Sequence, residues 1–366
     1  MINMQQNKDV FLWLVRMGIK AGPACHQPKI SESNTVNWDA IQDLATQHGL
    51  SAVVLDGIEK LPDQQRPPKL FLLEWIGETL QGYEYRYEQY QRAIAELAAF
   101  YNSHGFKMMV LKGYACSVDW PKPEHRPCGD IDIWLFGQQK DADSALAFEK
   151  KLNIDDSLHH TVFAWNDFTV ENHYDFINTH RHKTHQGLEN VFKQLSEDDT
   201  HCVDVYGEKV YLPSPNLHAL FLLRHALNHF VSSGITLRQV LDWALFVENH
   251  TNEIDWKWFN EMIEKYNMKE FFSCLNAICV EDLGFNATIF HGVQFSPALK
   301  DKVLRILLLL SLGQKCPNEY SLRLLICISD GKGMLGSTSF VIKKIDGAVF
   351  GQVCGGIFLN RFQNEY

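Results

Sequence analysis

The chain has 366 residues, 46% of them hydrophobic and 21% charged, with a formal net charge of −10. That length and balance describe a globular protein with a large core and two or three sub-domains, and the acidic excess argues against a broad nucleic-acid surface, which needs a cationic face to replace counterions. Nine cysteines without a Cys-x-x-Cys pair are the usage of a reducing compartment, and no stretch reaches the roughly 20 apolar residues of a bilayer span, so a cytoplasmic protein that contacts no membrane is expected.

Taken in order, residues 10–19 place apolar side chains on most faces of a helix that Gly22-Pro23 stops. Asn37 or Asp39 caps a second helix running to Gln47, with Gly49 at its stop. Pro62 and Pro67-Pro68 bracket a polar connector. From residue 71 to 103, Leu80, Tyr83, Tyr87, Tyr90, Ile94, Leu97 and Tyr101 recur at spacings of three and four. This is a long amphipathic helix, and its aromatic stripe reads as core rather than as a stacking platform.

The apolar run 108–111 reads as a strand, with Lys112-Gly113 as a tight turn into a short helix over 115–120. A strand-to-helix turn presents free backbone N–H groups and the positive end of the helix dipole, which suits an anion. Lys112 is either a solvated strand end or a point charge for a phosphate. A loop with three prolines, 121–127, follows and carries Arg126, whose fork suits either a pairing with Asp130 or Asp132 or a phosphate. In Gly129-Asp130-Ile131-Asp132-Ile133 the two aspartates alternate onto one strand face. Such an anion pair is either a solvated strand face or the holder of a cation, and hard oxygen ligands suit Mg²⁺ or Mn²⁺.

Residues 141–151 read as a helix, and 159–165 and 168–176 as strands joined by a tight Asn166-Asp167 turn. Glu171 and His173 share a face of the second strand. If that face also bears the aspartates, Glu171 is the third carboxylate, with Asp204 in the alternating stretch 201–206 as its rival. The segment 180–185 with Arg181 reads as a basic loop that supplies positive charge rather than metal ligands. Ser214-Pro215 opens a helix over 216–230 that bears His218, His225 and His229, and further helices are expected at 237–246, 255–266, 269–280 and 297–312. Residues 318–328 extend the bundle, 331–337 form a turn, and 341–358 read equally as a broken helix or as short strands.

Together, Leu111-Lys112-Gly113, Arg126, Gly129-Asp130-Ile131-Asp132 and the later strand with Glu171 and His173 resemble the uncharacterised nucleotidyltransferase family of the polymerase-β-type nucleotidyltransferase superfamily. That superfamily is marked by an apolar-Gly-Gly/Ser turn, an Asp-x-Asp/Glu strand and a third carboxylate on a later strand. Tyr114 departs from it, standing where a small residue is usual. The helices bearing His225, Arg238 and Asp242 resemble the part that follows the core in the same family, so the resemblance covers about residues 105–250.

The resemblance implies an α+β protein with a small mixed β-sheet: an N-terminal helical region 1–104, a nucleotidyltransferase-like core 105–212 and a C-terminal helical region 213–366. It also implies two-metal transfer of a nucleoside monophosphate from an NTP to a hydroxyl on an unidentified acceptor, whether protein, small molecule or RNA. Asp130, Asp132 and Glu171 would hold Mg²⁺ or Mn²⁺, Lys112, Gly113 and Arg126 would orient phosphates, and His173, Arg181 and Asp204 would be accessory. Replacing either aspartate by asparagine is then expected to abolish turnover and leave the fold intact. Two alternatives stand beside this reading: a catalytically silent nucleotide- or partner-binding module, and a metal-independent helical ribonuclease using Arg224 and His229.

Overall fold

The computed structural model describes residues 2–19, 36–157, 159–178, 183–198, 200–232, 234–291 and 297–310. The elements expected at 318–328, 331–337 and 341–358, and the accessory Arg181, lie outside these residues.

Three helices open the chain: α1 (Ile2–Ile19), α2 (Trp38–His48) and α3 (Ser51–Glu59). The Asn37 side chain accepts from the Ala40 N–H at 3.1 Å, and Gly49 at φ 65° ends α2, as capping chemistry predicts. Helices α1 and α3 touch backbone to backbone at a pair of glycines. A β carbon on Gly18 would lie 2.0 Å from the Val53 carbonyl oxygen, and one on Gly57 2.2 Å from that of Leu14. Helix α4 (Lys69–Thr79) passes through a π-helical turn, Leu80–Tyr85, into α5 (Arg86–Ser103). The long helix expected from 71 to 103 is therefore present with one widened turn, and Tyr87, Tyr90 and Tyr101 are buried as core.

Helix α5 packs on a seven-stranded mixed sheet: β1 (Met109–Val110), β2 (Ile131–Trp134), β3 (Asp155–Asp156), β4 (His160–Trp165), β5 (Phe168–His173), β6 (Cys202–Val205) and β7 (Glu208–Tyr211). The spatial order is β3-β4-β5-β2-β1-β7-β6, with β2/β5 and β1/β7 parallel and every other pair antiparallel. Alternation divides the central strands between two cores. Val110, Ile131, Ile133 and Val170 pack with α5 and with α7 (Gln139–Lys150), whereas Met109, Leu111 and Trp134 join the cluster on the other face.

That second cluster is built by α8 (Lys183–Leu195), α9 (Pro215–Ser232), α10 (Leu237–His250), α11 (Trp256–Lys265), α12 (Lys269–Ala277) and α13 (Pro297–Leu310), together with α1 to α3. Phe11, Leu14 and Ile41 from the start of the chain share it with Leu220, Trp243 and Phe259. His48 Nδ1 accepts the Leu237 N–H at 3.1 Å and ties the end of α2 to the start of α10. The basic stretch ending at His185 differs from the expected loop in that α8 already begins at Lys183, because Leu188 and Phe192, four apart, bury one helix face. Five cysteines fall among the described residues and all are free thiols. No described helix is long and apolar enough to cross a membrane.

Candidate functional site

The site starts at the turn after β1. Gly113 has φ 55°, and a β carbon there would lie 2.3 Å from Tyr90 Oη, which itself donates to the Asp130 carbonyl at 2.7 Å. A glycine is required on both counts, and the contact joins α5, the turn and the entry to β2. Tyr114 begins the single-turn helix α6 (Tyr114–Ser117), and its ring turns into the α5 core, with its centroid 6.3 Å from that of Tyr87. The bulky residue is thus accommodated behind the turn. The Gly113 and Tyr114 N–H groups make no hydrogen bond to another backbone group among the described residues.

Strand β2 then lies parallel to β5 with Asp132 directly opposite Glu171 and Trp134 opposite His173, while β4 places His160 opposite His173. Residues opposite one another share a face, so Asp132, Glu171, His173 and His160 converge. Asp132 is 1% exposed, and its Oδ1 receives Lys112 Nζ at 2.6 Å and His173 Nε2 at 3.0 Å. His173 Nε2 is also 3.6 Å from Glu171 Oε2, and His160 Nε2 is 3.9 Å from Glu171 Oε1. Asp130 stands at the solvent edge of this group and forms no ion pair among the described residues.

Charge in the cluster is balanced internally. Burial by itself would raise the Asp132 carboxyl, but the Lys112 ammonium and the hydrogen-bonded His173 outweigh it and hold the group well below the usual carboxylate range. Burial would likewise lower His173 and Lys112, yet the adjacent carboxylates raise both. Glu171 is lowered by its contact with His173. Asp130 is raised, by the crowded surroundings of its carboxyl first and by the charge of Asp132 second.

The other expected residues are placed elsewhere. Arg126 is buried, and its fork closes on Asp242 of α10, Nε to Oδ1 at 2.7 Å and Nη2 to Oδ2 at 2.9 Å, while Trp120 Nε1 donates to the same carboxylate at 3.0 Å. Its aspartate partner is therefore neither Asp130 nor Asp132. Asp204 lies on β6 at the far edge of the sheet, exposed, with Oδ1 accepting the Gly207 N–H at 3.0 Å across a hairpin turn. On α9 the buried Arg224 directs Nη2 to His185 Nε2 at 3.4 Å, whereas the His229 ring lies tilted at 60° against that of His225, with 4.3 Å between centroids. His225 and His229 are both pushed down, by burial and then by the Lys112 ammonium, which places this helix face within electrostatic reach of the cluster. Sequence reasoning assigned no role to His159 or His160. The two-residue Asn166-Asp167 turn was the available signal, since it fixes the register that carries His160 opposite His173.

The residues present fit a divalent cation. Asp132 Oδ2 is buried with no hydrogen-bond partner among the described residues, and Asp132, Glu171 and His173 offer ligand atoms that all lie within 4.8 Å of one another. Two carboxylates and an imidazole suit a hard or borderline divalent ion.

The mixed sheet between helical layers, with its carboxylates beside a glycine turn, is the arrangement that the resemblance to nucleotidyltransferases implies. The chain belongs to the uncharacterised nucleotidyltransferase family, whose model matches residues 34–284. Among solved structures it is similar to an antigenic nucleotidyltransferase-like protein from Paracoccidioides brasiliensis, at 13% identity and a TM-score of 0.34, over 55% of this chain and 96% of that one. Comparison with curated proteins finds no match.

Proposed function

We propose that the protein transfers a nucleoside monophosphate from an NTP to an acceptor hydroxyl. The observation that carries this reading is the buried Asp132 Oδ2, unpartnered among the described residues, with Glu171 directly across the parallel strand pair. Asp130, Asp132 and Glu171 would hold a pair of divalent ions, Mg²⁺ or Mn²⁺, which supply positive charge against the triphosphate when bound. The Gly113 and Tyr114 N–H groups donate to phosphate oxygens, and Lys112 is the cation beside them. Glu171 accepts the proton of the attacking hydroxyl, and His173 orients Asp132 and Glu171. Arg126 contributes indirectly, fixing the loop before β2 to α10 through Asp242. The acceptor is a protein, a small molecule or an RNA end.

A second reading is favoured by the Lys112–Asp132 contact, which neutralises Asp132 without any metal: a module that binds nucleotide and does not transfer it. The experiment is a calorimetric titration of each NTP with and without Mg²⁺ or Mn²⁺, on the wild type and on Asp130→Asn. Metal-strengthened binding that Asp130→Asn loses supports the site, and pyrophosphate release in the presence of acceptors then separates transfer from binding alone. Absence of NTP binding with either ion overturns both readings.

A further inference from the structure

Beside the carboxylates lies a second group, of which the proposed transfer uses only His173. His159, His160 and His173 each offer one ring nitrogen, and these nitrogens all lie within 4.8 Å of one another. Consecutive residues of a regular strand point to opposite faces, so neighbouring histidines ordinarily diverge. Here His159 sits just before β4, where its carbonyl accepts both the Tyr174 and the Asp175 N–H at 3.1 Å. Its ring is thereby turned to within 4.5 Å of His160 and 5.6 Å of His173, centroid to centroid, with His160 and His173 5.2 Å apart.

Two further observations point to a ligand. His159 Nδ1 and His160 Nδ1 are buried and have no hydrogen-bond partner among the described residues, an arrangement that costs free energy unless something else satisfies them. His173 Nδ1, at 3.3 Å from the Asp175 carbonyl, donates to it and so aims Nε2 into the cluster, the outer support that metal-ligating imidazoles characteristically have.

We propose that His159, His160 and His173 form a binding site for one borderline transition-metal ion of the Zn²⁺ class, separate in chemistry from the hard-ion site of Asp130, Asp132 and Glu171. Three imidazole nitrogens suit Zn²⁺ and leave coordination positions open, whereas Mg²⁺ demands oxygen and retains its waters. The two sites adjoin at His173, whose Nε2 also reaches Asp132 Oδ1 at 3.0 Å. An ion on the histidines therefore withdraws that nitrogen from the carboxylate. The proposal stands on the histidine geometry and does not depend on nucleotidyl transfer.

The experiment is a Zn²⁺ titration of the full, chelator-stripped chain by calorimetry in excess Mg²⁺, paired with thermal unfolding to establish that each variant is folded. The expected result is one Zn²⁺ per chain, weakened at least about tenfold in His159→Gln and in His160→Gln and unchanged in Asp130→Asn. Binding that both histidine variants retain, binding that Mg²⁺ displaces, or no stoichiometric binding overturns the proposal. If either histidine variant does not fold, Co²⁺ on the wild type decides: paramagnetically shifted imidazole resonances from three histidines support the site, and their absence overturns it.

Discussion

Asp132→Asn and Asp130→Asn look equivalent in the sequence, yet their surroundings separate them. Asp132 is buried between Lys112 and His173, whereas Asp130 is exposed and forms no ion pair among the described residues. Breaking a buried ion pair by removing one partner costs about 3–5 kcal/mol, because the other charge is left uncompensated. Lys112 retains Asp130 and Glu171 as nearby anions, and the new carboxamide still accepts one hydrogen bond. The expected loss for Asp132→Asn is therefore about 2–3 kcal/mol, against no more than about 0.5 kcal/mol for Asp130→Asn. Urea unfolding at pH 7, followed by tryptophan fluorescence, measures both. A double-mutant cycle with Lys112→Met should return a coupling of about 1–3 kcal/mol between Lys112 and Asp132. If Asp132→Asn unfolds within 0.5 kcal/mol of the wild type, by the same order-of-magnitude reckoning, the buried pairing does not stabilise the fold and the electrostatic account of the site fails.

Gly113→Ala should cost about 1–3 kcal/mol and weaken NTP binding, because it combines a positive φ with a contact on Tyr90 Oη; in a Tyr90→Phe background the penalty should shrink, and an undiminished penalty would locate the strain elsewhere. Asp242→Asn should destabilise by about 3–5 kcal/mol by stranding the buried Arg126, and Arg126→Lys should not restore the two-point contact; wild-type unfolding midpoints for both would contradict the tie between loop and α10. Burial holds His48 and His218 neutral, each near 4 rather than 6.5. The unfolded chain therefore protonates first as pH falls. Their contribution is intact above pH 6.5 and lost on descending toward pH 4, by at most about 3 kcal/mol each, so equal urea midpoints at about pH 7 and pH 4.5 would refute it.

What the chain determined by itself was local. Strand alternation put Glu171 and His173 on one face of β5, the Asn37 and Gly49 signals bounded α2, and the Asn166-Asp167 turn set the β4–β5 register. These follow from periodicity and turn chemistry, which act over a few residues. Tertiary structure decided which strands are neighbours. Both β5 and β6 alternate and both carry a carboxylate, but only β5 pairs with β2, so Glu171 rather than Asp204 lies beside Asp132. The partner of Arg126, 116 residues away in α10, was equally illegible, since a guanidinium fork fits any carboxylate that packing brings to it. The approach of His159 to His160 and His173 required the clamp on the His159 carbonyl, a departure from strand alternation that no local pattern announces. Periodicity assigns each residue to a face, and only long-range packing decides which faces meet.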